Sequence, residues 1–183
     1  KHDQLIFEEK SEAFTVGIDL SSDDKYFFIT TSDHNTSEQY YFDVNEKNPL
    51  PKLIKKRKKG ILYSVNSWNG KFYNQTNEDA EDFKIDITDN LEKQNWKTFI
   101  AAKEEVLIGG LTFLNNWIIR SETSNALDKL FVMNITTGKE QELIFSDEDV
   151  YVPGVSLVQR DKNTDEIYLG YSSPKTQSRV YSY

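Results

Sequence analysis

Between Lys25 and Val44 the chain reads KYFFITTSDHNTSEQYYFDV: an aromatic and β-branched run, a polar connection, then a second aromatic run. The layout returns as KFYNQTNEDAEDFKIDIT from Lys71, NWIIRSETSNALDKLFVMNIT from Asn116 and EIYLGYSSPKTQSRVYSY from Glu166, at intervals of 46, 45 and 50 residues. Phe83, Ile85 and Ile87 alternate with Lys84 and Asp86, the pattern of a strand with two unlike faces. A further strand is predicted before each pair, at Val16–Leu20, Leu62–Asn66, Leu107–Phe113 and Val152–Val158. Three units also carry one after it, at Lys52–Lys55, Trp96–Ile100 and Gln141–Phe145. WNGK at Trp68–Lys71 joins two strands through an Asn-Gly pair suited to a type I′ hairpin, and LNNW at Leu114–Trp117 takes the same place one unit on. TTGK at Thr136–Lys139 leads into the last outer strand.

No segment holds a helical period. Four antiparallel strands recurring roughly every 40–50 residues predict an all-β chain, a β-propeller fragment of about four blades. A β-sandwich with coincident spacing is the competing architecture. The expected boundaries are an outer strand at 5–9, blades at 16–58, 62–102 and 107–146, and three strands of a last blade at 152–183. Gly17, Gly109, Gly110 and Gly154 fall in the innermost strands, where glycine predicts close approach of another backbone. Leu5–Glu9 resembles a fourth strand without its first three, whereas the final unit has three and no fourth. Two outcomes are expected from that mismatch: closure of a four-bladed ring, or an edge-mediated homodimer.

Composition narrows the chemistry. The 183 residues contain no cysteine and two histidines, His2 and His34, so disulfides, thiol catalysis and cysteine zinc sites are excluded. Thirty acidic against 22 basic residues give a net charge of −8, which argues against nucleic acid as a partner. No apolar run has the length of a membrane span. The absence of cysteine and of a visible leader fits a cytoplasmic location, and the start at Lys1 suggests processing or excision from a longer chain.

Each motif that could carry chemistry has a plainer reading. KKRKK at Lys55–Lys59 reads as a solvated sheet edge before it reads as a nucleic-acid patch. GVSLV at Gly154–Val158 lacks the second glycine of a nucleophile elbow, leaving Ser156 an inner-strand serine. His34 lies in a turn, and Asp23-Asp24 and Glu104-Glu105 read as solvated loop pairs rather than a glycosidase dyad. Sequons at Asn35, Asn74 and Asn134 are discounted as chance matches in an Asn-rich chain. Trp68, Trp96 and Trp117 read as blade packing before a stacking surface for sugars or peptides. No catalytic, cofactor-binding or metal-ligating residue is assigned.

Once the blades are drawn, the strand wording becomes recognisable. LIFEEKSEAFTVGIDLSSDDKYFFI, TSEQYYFDVN, FYNQTNEDAEDFKI, NWKTFIAAKEEVLIGGLTFLNNWIIRSE and GYSSPKTQSRVYSY resemble the propeller of the prolyl oligopeptidase family, on its oligopeptidase B (protease II) branch. The likeness covers essentially the whole chain. It departs at Thr176-Gln177, where the family has Thr-Pro, and at Ser182, where it has aspartate.

The resemblance implies a serine-peptidase parent with a seven-bladed propeller, of which this chain is roughly the second half. It also implies an α/β-hydrolase domain after Tyr183 holding a Ser-Asp-His triad and an acidic pocket, with short peptides cleaved after Arg or Lys. No family catalytic residue falls on this sequence. Two other classes stay open: a non-enzymatic interaction propeller, and a glycan-acting one with convergent carboxylates.

Overall fold

A computed structural model describes residues 3–145, 150–156 and 164–183, and the chain divides into two compact units, Lys1–Ala101 and Ala102–Tyr183. The first holds two four-stranded antiparallel sheets in consecutive strand order. One is β1 (Thr15–Leu20), β2 (Tyr26–Ser32), β3 (Ser37–Asp43) and β4 (Lys52–Lys55). The other is β5 (Tyr63–Trp68), β6 (Lys71–Thr76), β7 (Lys84–Thr88) and β8 (Lys97–Ile100). The second unit holds β9 (Val106–Phe113), β10 (Trp117–Ser124), β11 (Leu127–Asn134) and β12 (Glu140–Glu142), then a three-stranded sheet of β13 (Val152–Ser156), β14 (Tyr168–Ser172) and β15 (Arg179–Ser182). Each sheet is one propeller blade, built as the repeat predicts.

The blades pair through the apolar members of their alternating strands. In the first unit Phe28 and Ile54 of one sheet share a core with Tyr63, Val65, Phe72 and Leu91 of the next. In the second, Ile119, Leu130 and Val132 meet Ile167 and Leu169. Near-complete burial of Ile54, Ile119 and Leu169, each 1 % exposed, shows how little slack these cores have.

Turn chemistry follows the residues. Asn69 and Gly70 both take positive φ, 50° and 73°, giving the type I′ hairpin expected at WNGK and extending β5 to Trp68. Asn125 and Ala126, at 52° and 59°, make the β10–β11 turn in the same way, although alanine lacks the freedom of glycine there. The outer strand expected at Gln141–Phe145 is shorter, Glu140–Glu142, because Leu143 and Phe145 turn into the core. Of the strand expected at Val152–Val158, residues 157–158 lie outside the described residues, as do His2 and residue 146.

Two expectations need correction. Leu5–Glu9 belongs to no strand, whereas the last sheet has the three strands expected of the final unit. What these residues do instead is bind by side chain, as described below. The inner-strand glycines do not uniformly mark backbone approach either. A Cβ on Gly17, Gly110 or Gly154 would meet nothing within 4 Å.

Gly109 alone is crowded: its Cβ would stand 2.1 Å from Ser121 Oγ. A register shift between Arg120 and Glu122 sets Gly109 and Gly110 against the single residue Ser121, so only one of the two glycines points inward. Gly109→Ala is therefore expected to cost about 1–3 kcal/mol of unfolding free energy, with Ser121→Gly recovering most of it; a denaturant-melt double-mutant cycle checks this.

Candidate functional site

Among the described residues, no group of three or more His, Asp or Glu could hold a metal ion. The features that set this surface apart are polar joints between blades and two charge clusters, one half-buried and one buried.

The joint in the first unit is fastened at both ends of β5. At one end the β1–β2 loop reaches it: Ser22 N–H donates to Asn66 Oδ1 (2.8 Å), Asn66 Nδ2 donates to Ser22 Oγ (2.8 Å), and Ser67 Oγ donates to Asp23 Oδ2 (2.9 Å). Ser21 Oγ completes the Asp23 carboxylate at 2.8 Å. At the other end Ser37 Oγ donates to Tyr63 O (2.8 Å) and accepts from Tyr63 N–H (2.7 Å), while Val65 N–H donates to Gln39 Oε1 (2.8 Å). The Tyr63 hydroxyl accepts from Gln39 N–H at 2.8 Å and donates to Lys55 O. Burial pushes this phenol up to about 12. These bonds consume the polar groups of a strand edge that would otherwise stand open.

The second unit has a counterpart at one end. Asn115 N–H donates to Thr164 O (3.0 Å), and Asn116 donates from its N–H (2.7 Å) and Nδ2 (2.6 Å) to the Asp165 carboxylate. LNNW thus occupies the place of WNGK in its unit but spends its asparagines on the neighbouring blade.

Arg57 organises one charge cluster. Its guanidinium bonds Glu9 at 2.7 Å and Glu38 at 3.4 Å and lies 4.2 Å over the Phe14 ring, while its N–H donates to Glu38 Oε2 at 2.8 Å. Phe7 packs on Tyr40 at 4.8 Å, and the Tyr40 hydroxyl donates to Glu38 (2.8 Å). Burial, then the Glu38 bond, push that phenol up to about 12. Through Phe7, Glu9 and Phe14 the N-terminal segment is strapped to the first sheet. The Ser11 N–H, then Arg57, hold the Glu9 carboxyl below its ordinary 4.5 despite the opposing cost of burial.

That depression has a definite sign. Glu9 ionisation contributes stability that is complete above pH 4.5 and lost as pH falls through its lower folded value. Amide exchange over residues 5–14 is expected to rise on acidification before the global melt, and Glu9→Gln is expected to remove this pH response.

The other cluster surrounds Arg120, only 3 % exposed. It bonds Glu122 at 3.0 Å and Glu140 at 2.9 Å and stacks 4.8 Å from Phe131, with Lys103 reaching Glu122 at 2.6 Å. Its chemistry is internal cross-linking of β10, β12 and the turn before β9.

Several sequence readings change in this light. KKRKK is not simply a solvated edge, since Arg57 is paired twice and Lys55 bonds Glu78. Asp23 is not a solvated loop acid but the acceptor of a joint, whereas Asp24, Glu104 and Glu105 are exposed. His34 is exposed in a turn capped by Asp33, whose Oδ1 accepts from Asn35 and Thr36 N–H. Ser156 pairs with Tyr168 through backbone at the end of β13. Asn74 is buried and cannot carry a glycan in this fold, and Trp68, Trp96 and Trp117 pack inward.

The comparisons agree with this architecture. Over 180 residues the chain is 29% identical to Protease 2 of Moraxella lacunata, covering 95% of this chain and 25% of that protein. Over 182 residues it is 26% identical to Dipeptidyl aminopeptidase BI of Pseudoxanthomonas mexicana, covering 98% of this chain and 25% of that one. The chain thus spans about a quarter of the length of these relatives. In fold it superimposes on oligopeptidase B from Trypanosoma brucei, closed form with covalently bound antipain, with a TM-score of 0.88 at 22% identity over 97% of this chain and 26% of that one. For oligopeptidase B from Leishmania major the TM-score is 0.87 at 17% identity, over 97% and 26% respectively. The family model for the prolyl oligopeptidase N-terminal beta-propeller domain matches residues 1–183, and the chain belongs to that family.

Proposed function

We propose that this chain is the cover of a serine oligopeptidase, a propeller segment that screens the active site of an attached α/β-hydrolase domain and admits only short peptides. The whole-length match to the family's propeller, shared with relatives that are themselves named as peptidases, carries the reading. The joints supply the physics. A cover that excludes by size must not part between blades, and side-chain bonds at both ends of β5 oppose that motion. Access then comes through movement of the cover as a body.

The proposed substrates are short peptides cleaved after Arg or Lys, consistent with the net charge of −8 on this segment. The test is hydrolysis by the whole encoded protein of reporter peptides ending in Arg, Lys, Leu or Glu, beside the same basic sequence in a folded protein. The expected result is serine-reagent-sensitive cleavage of the short basic reporters only. Cleavage of the folded substrate at a similar rate would overturn the cover, preference for the neutral reporters would overturn the specificity, and absence of any hydrolase would favour an interaction scaffold.

A further inference from the structure

The internal repeat provides a control for one cavity. With Lys25 set on Asn116 and Lys71 on Glu166, Ser37 corresponds to Asp128, Gln39 to Leu130 and Thr76 to Tyr171, whose ladder partners are Tyr63 and Pro153. The ladders agree: Thr30 pairs Gln39 as Ser121 pairs Leu130, and Tyr63 pairs Thr76 as Pro153 pairs Tyr171. In the first unit this position is filled by the Tyr63 ring and closed by Ser37 and Gln39. In the second, proline replaces the ring and leucine replaces the amide. Neither can close the joint, and a half-open cleft of about 320 Å³ remains between β13 and the facing sheet.

Its walls are apolar at Leu111, Ile119, Leu130 and Val155, and a Cβ on Gly154 would meet nothing within 4 Å. Asp128 stands in the lining on an exposed position. One of its oxygens accepts from Thr123 Oγ1 at 2.6 Å, which leaves the carboxylate with further acceptor capacity. The volume is at the small end of the roughly 300–1,000 Å³ range of ligand sites, enough for one long side chain.

We propose that this cleft receives one cationic side chain on an aliphatic stem, an arginine or lysine of a bound peptide, in the space that Tyr63 occupies in the first joint. Methylenes lie against the leucine, isoleucine and valine walls while the charged head meets Asp128 at the mouth, the usual division for a snorkelling base. An acidic ligand would be repelled by the same carboxylate. The inference stands on the cleft and the repeat, independently of the peptidase reading.

Methyl NMR of this chain, titrated with the N-acetyl amides of arginine, lysine, tyrosine and glutamate, tests it. Saturable shifts confined to Leu111, Ile119, Leu130 and Val155 are expected for arginine and lysine, with a Kd on the order of 1 mM. Asp128→Ser restores the residue type of the first joint at an exposed position and should weaken binding about tenfold or more. Pro153→Tyr should abolish it by filling the space. No shifts at those methyls, tighter binding of the tyrosine amide, or affinity unchanged in Asp128→Ser would each overturn the assignment, whether or not the whole protein proves to be a peptidase.

Discussion

Arg120→Ala is expected to destabilise the second unit by about 3–5 kcal/mol, among the largest single effects in the chain. The guanidinium is nearly fully buried between Glu122 and Glu140 and over Phe131, and Glu122 is itself only 5 % exposed. Truncation strands that carboxylate in an apolar setting with Lys103 as its remaining partner, and it opens a void beside the aromatic ring. Arg120→Lys keeps the charge but not the planar fork that spans two acids while stacking, so it should recover only part of the loss. The informative control is Arg120→Met with Glu122→Leu. If stranding of charge dominates, the double apolar variant is far less harmful than Arg120→Ala, by about 2 kcal/mol or more. Denaturant melts followed by near-ultraviolet circular dichroism decide between them, and equal losses in the two variants would assign the effect to packing instead.

The blades were legible because their information is local and periodic. Apolar alternation fixes which face of each strand is buried, and Asn69-Gly70 can hardly serve any other turn. The polar joints were not legible in the same way. Ser37 and Tyr63 lie 26 residues apart, and Ser67 and Asp23 lie 44 apart, each resembling ordinary turn or strand-end residues in its own neighbourhood. One signal was available. Ser37 and Gln39 continue the same face as the aromatic Tyr41, and Arg120 and Glu122 continue that of Ile118. A polar side chain in core register of a middle strand requires a partner, which is a prediction of a joint or an ion cluster. The glycines misled for a related reason. A strand glycine can admit a neighbour or leave room, and only the bulge at Ser121 separates Gly109 from Gly110.

Tyr63→Ala is the second large effect expected, about 3–5 kcal/mol, because it removes a ring from the core shared by Phe28, Ile54 and Phe72. It also releases Gln39 N–H and Lys55 O, which the hydroxyl serves together. Tyr63→Phe isolates that second contribution and should cost about 1–3 kcal/mol. Alkaline unfolding gives an independent reading. A phenol moved from 10.0 up to about 12 by burial contributes stability that is complete below pH 10.0 and lost as pH rises through the folded value. Tyr40 titrates in the same window, so Tyr63→Phe should diminish the alkaline loss without abolishing it, and Tyr40→Phe with Tyr63→Phe should diminish it further. The alanine variant also tests the proposed role as a peptidase cover. It gives the first joint the open space that Pro153 leaves in the second, and it does so where Ser37 and Gln39 had closed the strand edge. If size exclusion depends on closed joints, the whole protein carrying Tyr63→Ala should cleave longer peptides relatively faster while its rate on the shortest ones is retained. An unchanged length profile, in a variant shown to be folded, would place the barrier elsewhere than in the joints.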